Sequence, residues 1–140
     1  MEVTKHRAAV VALRDERLLV IRRVKHGRRY AVLPGGGVEL NESAEDAALR
    51  ELAEETGLCG KVVRPLWSLE HADRQADYFL VAVPVSPVAM LGPEQYRMST
   101  ENTYEPCWIR VSELDLENLQ PASIRELIRD LAGSAAPTNS

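Results

Sequence analysis

The chain has 140 residues, 45% of them hydrophobic, and a formal net charge of −4. That length buries a single core, that apolar share excludes disorder, and the acidic balance argues against the basic face of a nucleic-acid binder. The opening residues hold no long apolar run, so neither a signal peptide nor a membrane span is expected, and Cys59 and Cys107 lack metal-ligand or redox spacing, which points to reduced thiols and a cytoplasmic setting.

Arg7 to Leu13 reads as a strand, Asp15-Glu16 as a turn and Arg17 to Val24 as a second strand. Both strands are rich in Val, Leu, Ile and Ala, as strands covered on both faces would be. Lys25 to Arg29 is a basic loop. Tyr30 to Leu33 is a short strand that stops at Pro34 and three glycines, Gly35 to Gly37. A helix follows, with Ser43 as its N-cap, Glu45 and Asp46 in its first turn and Gly57 as its left-handed stop. Ala48, Leu49, Leu52 and Thr56 form its apolar stripe.

Lys61 to Leu69 and Asp77 to Val85 read as strands joined by a polar turn, Ala72 to Ala76. Ser86 to Tyr104 is a long loop with Pro87, Gly92 and Pro93, and loops of that length in compact domains are often functional. Cys107 to Val111 is a short strand, and Pro121 to Ala132 is a helix with Gly133 at its end. Trp67 and Trp108 are expected in the core. One domain is expected over residues 1–133, with a disordered tail at 134–140.

The chemistry concentrates in the first helix. Glu51, Glu54 and Glu55 stand at i, i+3 and i+4, so all three share one helix face. Like charges at those spacings repel, and a cation between them removes the conflict. Hard oxygen ligands favour Mg²⁺ or Mn²⁺ over zinc or copper, and magnesium leaves positions for water and substrate phosphate. The glycine loop upstream lets backbone approach a ligand closely, and a free carbonyl there can add a ligand. Arg50 can pair with Glu54 at i+4 or reach back to Glu42. Metal-assisted attack of water on a phosphoanhydride suits this set.

Gly36, Glu42 and the run Arg50-Glu51-Leu52-x-Glu54-Glu55-x-Gly57-Leu58 resemble the complete signature of the Nudix hydrolases, at all nine specified positions. A chance match at one start position is rarer than about one in a billion. The resemblance implies an α/β fold, the Nudix-type α/β/α sandwich with a mixed central sheet. It implies Mg²⁺- or Mn²⁺-dependent cleavage of a nucleoside diphosphate linked to a further group, a small-molecule substrate, and no nucleic-acid or membrane partner. It allows a homodimer. It assigns Glu54 and Glu55 as the metal-binding pair, Glu51 as ligand or base and Arg50 as the orienting residue, and the glycine-loop carbonyl taken as a further metal ligand is that of Gly35.

Glu39 matches a carboxylate near the metals and is grouped with Gly36 and Gly37 as a substrate contact. A further acidic residue is expected before the Trp108 strand, and of Glu101 and Glu105 the choice is Glu101. Arg23 is chosen as an arginine that touches phosphate or base, and Tyr104 is the favoured stacking residue among Tyr30, Tyr78, Phe79 and Tyr104. Lys25, His26, Arg28 and Arg29 form a loop that would steer an anion. His71 pairs with no nucleophile. Patterns selecting ADP-ribose, dinucleoside polyphosphates, coenzyme A or NADH are missing. A (deoxy)nucleoside triphosphate is therefore the leading substrate, ADP-ribose or a nucleotide sugar the second. A module that senses a nucleotide without cleaving it is the alternative from another class.

Overall fold

The structure is a computed structural model, and it describes residues 5–71, 73–84 and 102–135. The chain groups into two compact units, residues 1–12 with 34–86, and residues 13–33 with 87–140.

The first unit holds β1 (Lys5–Val11), β5 (Gly35–Gly37), α1 (Ala44–Thr56), β6 (Lys61–His71) and β7 (Arg74–Ala82). Its sheet has the order β5-β1-β7-β6. β1 and β7 run parallel, and the other two pairings are antiparallel. The glycines expected as a loop form a strand, because Gly35, Gly36 and Gly37 pair with Ala9, Ala8 and Arg7. At Gly35 a Cβ would sit 2.9 Å from the Cα of Ala9, so only glycine lets the two backbones come so close. The turn expected at 72–76 is shorter, since Leu69, Glu70 and His71 pair with Ala76, Gln75 and Arg74.

Helix α1 is built as its sequence dictates. The Ser43 hydroxyl accepts the Asp46 N–H at 3.0 Å. Gly57, at φ 79°, closes the helix with its N–H on the Ala53 carbonyl at 2.9 Å. Ala47, Ala48, Leu52 and Thr56 are fully buried, whereas Leu49 is only half-buried. The Thr56 hydroxyl donates to the Leu52 carbonyl at 2.7 Å and accepts the Leu58 N–H at 3.1 Å, so its burial leaves no polar group unmet.

The second unit holds β2 (Leu13–Arg14), β3 (Arg17–Lys25), β4 (Arg28–Val32), β8 (Asn102–Arg110), β9 (Leu119–Gln120) and α2 (Ile124–Ala135). β3 is its hub, pairing antiparallel with β2, β4 and β8, while β9 adds parallel to β4. Two tight hairpins carry positive φ at both turn residues, Asp15 and Glu16 in one and His26 and Gly27 in the other. That geometry matches the right-handed strand twist. The basic loop expected at 25–29 is thus only this two-residue turn. β8 is nearly twice as long as expected: Asn102, Thr103 and Tyr104 are strand, held by their register with Lys25, Val24 and Arg23. Residues 86–101 of the expected loop lie outside the described residues.

α2 begins at Ile124, after a cis Gln120–Pro121 bond, and continues past Gly133 to Ala135. Residues 134–135 are therefore helix, and the rest of the expected tail lies outside the described residues. Trp67 and Trp108 are half-buried rather than core. Trp67 tilts against Tyr78, and Trp108 carries the Arg14 guanidinium 5.8 Å above its ring. The cores consist of aliphatic side chains, with Val10, Val11 and Leu52 in the first unit and Leu18, Leu19, Val20, Ile124 and Ile128 in the second.

Candidate active site

In the first unit one arginine organises the acidic helix. Arg50 Nε donates to Glu42 Oε2 at 2.8 Å and Nη2 donates to Oε1 at 3.1 Å, a two-pronged grip on one carboxylate. Nη2 also donates to the Gly37 carbonyl at 3.0 Å, which ties the helix to the glycine strand. Its remaining nitrogen reaches Glu51 at 3.2 Å and Glu54 at 3.4 Å, with Glu39 at 3.8 Å. The Glu42 carboxyl is held below its ordinary range, first by Arg50 and then by the Glu39 N–H it accepts at 2.9 Å.

Glu51 and Glu55 behave oppositely. Burial pushes the Glu51 carboxyl up, with Arg50 pulling against it. Burial pushes Glu55 further, to about 7, although its Oε1 accepts the Gly35 N–H at 3.0 Å. Neighbouring Glu51 adds to the rise by like-charge repulsion. Glu54 is exposed. A side chain at Gly36 would collide with the Glu51 carboxylate, so this glycine makes the room the acid occupies.

This donor set fits a hard divalent cation. Two neighbouring carboxylates are desolvated and short of positive charge, since Arg50 gives its best contacts to Glu42. Among the described residues no three His, Cys, Asp or Glu side chains are already gathered into a metal-holding group.

Asp77, also in this unit, lies 2.8 Å from His6 Nε2 and accepts from the Ser68 hydroxyl. The carboxylate thus sits between serine and imidazole, the wrong order for activating a serine nucleophile.

The second unit separates its adjacent arginines. Arg22 is spent on Glu117, with Nε to Oε1 at 3.0 Å and Nη2 to Oε2 at 2.9 Å. Arg23 instead lies between two tyrosines, 4.2 Å from the Tyr104 ring centre and 5.8 Å from that of Tyr30, its partners across β3. Its Nε is buried and has no hydrogen-bond partner among the described residues. A cavity of about 450 Å³ is lined in part by Arg22, Arg23, Tyr30, Glu105 and Glu117. Glu105 is exposed on β8 opposite Arg22.

The structure therefore gathers Gly35, Gly36, Gly37, Glu39, Arg50, Glu51, Glu54 and Glu55 in one unit, and Arg23 with Tyr104 in the other. Glu101 lies outside the described residues. Tyr78 and Phe79 are buried and do not offer a stacking surface. Sequence reasoning missed Glu117, whose pairing with Arg22 depends on long-range contact.

A model of the NUDIX domain matches residues 4–131. The chain belongs to the Nudix hydrolase family. Members of this family generally use divalent metals such as Mg²⁺. Among Nudix relatives, diphosphoinositol polyphosphate phosphohydrolase 3-beta of Bos taurus is 28% identical over 140 residues, 96% of this chain and 82% of the relative. Diphosphoinositol polyphosphate phosphohydrolase 2 of Rattus norvegicus is 33% identical over 87 residues, 60% of this chain. Several curated relatives are matched over only about half their length, 48% in the rat protein. A solved NUDIX hydrolase from Nitrosomonas europaea superposes with a TM-score of 0.71 over 94% of this chain and 90% of its own, at 20% identity, which is a likeness of fold. Among the described residues no helix is long and apolar enough to cross a membrane.

Proposed function

We propose that this Nudix protein is a Mg²⁺- or Mn²⁺-dependent hydrolase of the pyrophosphate bond in a nucleoside diphosphate derivative, first of all a (deoxy)nucleoside triphosphate. The observation that carries the reading is the contrast within one helix. Arg50 locks Glu42 and Gly37, while Glu51 and Glu55 remain desolvated, Glu51 with only a longer 3.2 Å contact to Arg50 and Glu55 with no cation bonded to it among the described residues. Glu51, Glu54 and Glu55, with the Gly35 carbonyl, would hold the cation. When bound, it would neutralise charge on the pyrophosphate oxygens.

A carboxylate of Glu51 or Glu55 orients the attacking water and takes its proton. The water oxygen bonds to phosphorus, the bridging P–O bond breaks, and its electron pair leaves with the departing phosphate. Gly37, where a side chain would meet nothing within 4 Å, would leave room for the phosphates, Gly36 gives its room to the Glu51 carboxylate, and Glu39 is an exposed carboxylate 3.8 Å from Arg50. Arg23 and Tyr104 suit a base or phosphate, since the guanidinium keeps its donors free and the ring offers a stacking face.

A second reading, a diphosphate carried on a non-nucleotide polyphosphate, is favoured by the names of the curated relatives. One screen separates the two. Nucleoside triphosphates, ADP-ribose, nucleotide sugars, dinucleoside polyphosphates and diphosphoinositol polyphosphates are offered with Mg²⁺ or Mn²⁺, beside Glu55→Gln. Turnover of a nucleotide that Glu55→Gln lowers by orders of magnitude is the expected result. Nucleotide binding with no cleavage of any substrate would replace hydrolysis with a sensing role.

A further inference from the structure

The β2–β3 hairpin and β8 set three arginines side by side in the second unit. Arg14 of β2 pairs with Arg17 of β3, and Arg17 pairs on its other side with Arg110 of β8. Directly opposed residues project from the same face of a sheet. The three therefore form one row across three strands, roughly 10 Å long at two inter-strand spacings. Like charges at directly opposed positions destabilise a sheet, and no other residue type interrupts this row.

Two of the three lack a counter-charge. Arg14 is half-buried, with its guanidinium over the Trp108 ring. Arg17 and Arg110 are exposed, and among the described residues their guanidinium groups make no hydrogen bond and no ion pair. Asp15 and Glu16 stand in the turn beside them, yet among the described residues neither forms an ion pair with Arg17 or Arg110. The Glu16 carbonyl accepts the Val111 N–H at 3.0 Å, so backbone and not carboxylate ties the turn to the end of β8. A cavity of about 570 Å³ opens here, lined in part by Arg17, Arg110, Ser112 and Arg129 and by the two turn acids. Arg129 is already spent on Asp115 at 2.8 Å and Glu126 at 3.2 Å. Arg17 and Arg110 are the lining cations with donors to spare. The basic strip is also narrow. The turn acids border it on one side, and the Leu19–Trp108 pair, two residues inward on the same face, borders it on the other. That width suits a single phosphate chain lying across the strands. A broad anionic surface would meet the acids.

We propose that the Arg14–Arg17–Arg110 row is an oligophosphate-binding site, in which Arg17 and Arg110 grip the phosphoryl oxygens and Arg14 adds its charge at the end of the row. Guanidinium forks match paired phosphoryl oxygens, and successive phosphates of one chain meet arginines on successive strands. Binding removes the like-charge conflict, so the row stabilises the fold when it is occupied. The phosphate chain comes either from an inorganic polyphosphate or from a nucleotide, with the same chemistry at the arginines. The site includes none of the acids of α1 and does not rest on the hydrolase reading.

The test is calorimetric titration of sodium tripolyphosphate, and separately of ATP, into the full chain with EDTA present, so that no cation bridges phosphate to the carboxylates of α1. Wild type should bind tripolyphosphate with an affinity that falls as salt rises. Arg17→Gln should weaken that binding at least about tenfold, Arg110→Gln about threefold or more, and Arg17→Lys should recover part of the loss. Arg23→Ala should bind tripolyphosphate as wild type does. Tripolyphosphate should raise the Tm of wild type and leave that of Arg17→Gln unmoved, and the same melt shows that the variant is folded. ATP that binds at least about tenfold more tightly than tripolyphosphate, and loses that affinity in Arg17→Gln, assigns the site to a nucleotide. Any other ATP result leaves the inorganic chain as the ligand. Failure of wild type to bind either probe would overturn the inference. So would tripolyphosphate binding within about twofold of wild type in both Arg17→Gln and Arg110→Gln. Loss of tripolyphosphate binding in Arg23→Ala alone would also overturn it, by placing the anion between Tyr30 and Tyr104 instead.

Discussion

Replacing Glu55 with glutamine keeps the side chain's shape and its hydrogen bond from the Gly35 N–H, and removes only the ability to ionise. Burial pushes the Glu55 carboxyl from 4.5 to about 7. Between those values the folded chain binds more protons than the unfolded chain. Stability of the metal-free protein therefore falls as pH rises from about 4.5 to 7 and is flat above that. At about 1.4 kcal/mol per pH unit, the ceiling on the loss is about 3.5 kcal/mol. Partial exposure of the side chain, and the amide's own desolvation, reduce this to roughly 1–2 kcal/mol.

Glu55→Gln should therefore be more stable than wild type at pH 8 by that amount in chelator, and equal to it near pH 4.5. Urea unfolding at the two pH values, with EDTA present, measures the difference. Mg²⁺ should then reverse the order, since it stabilises a folded wild type that binds it and not the variant. A glutamine variant no more stable than wild type at pH 8, or equally stabilised at both pH values, would refute the claim that the acid is strained for a cation. Activity should fall by orders of magnitude in the same protein.

Arg50→Lys keeps the charge but loses the grip on Glu42 and the bond to Gly37, and should lower kcat/KM by about 10²-fold or more in steady-state assays. Gly36→Ala should abolish Mn²⁺ binding, read by titration, because the new methyl takes the place of the Glu51 carboxylate. Arg22→Ala and Arg23→Ala should separate cleanly. Arg22→Ala strands the half-buried Glu117 and should cost about 1–2 kcal/mol in urea unfolding, with little change in KM. Arg23→Ala should leave stability within about 0.5 kcal/mol and raise KM roughly tenfold.

What could be read without coordinates was what is local. The Ser43 cap, the Gly57 stop and the shared face of Glu51, Glu54 and Glu55 depend only on helix period and on φ preference. Arg50 was visible as a residue able to reach Glu42, because eight residues across a turn is a short span. Register was not visible. Three glycines read as a loop because their own propensity opposes a strand, and only pairing with Arg7, Ala8 and Ala9 overrides it. Tyr104 looked like part of a loop for the same reason, until the Arg23 partnership drew it into β8. Trp67 and Trp108 looked like core because strands are usually covered, yet each serves as a platform for a neighbouring group instead.

The two arginines 22 and 23 show how period-2 geometry divides labour. Neighbours in a strand point to opposite faces, so one sequence position decides which of two identical side chains is structural. On one face Glu117 waits for Arg22, while on the other the rings of Tyr30 and Tyr104 hold Arg23 without satisfying its donors. An aromatic ring steadies a cation but cannot accept all of its hydrogen bonds, so the guanidinium stays positioned and still hungry for an anion. The acidic helix follows the same logic with opposite sign. Arg50 satisfies Glu42 and leaves Glu51 and Glu55 wanting a cation. In each unit a satisfied ion pair fixes the frame, and the unsatisfied neighbour beside it is the group with binding energy left to spend on a ligand.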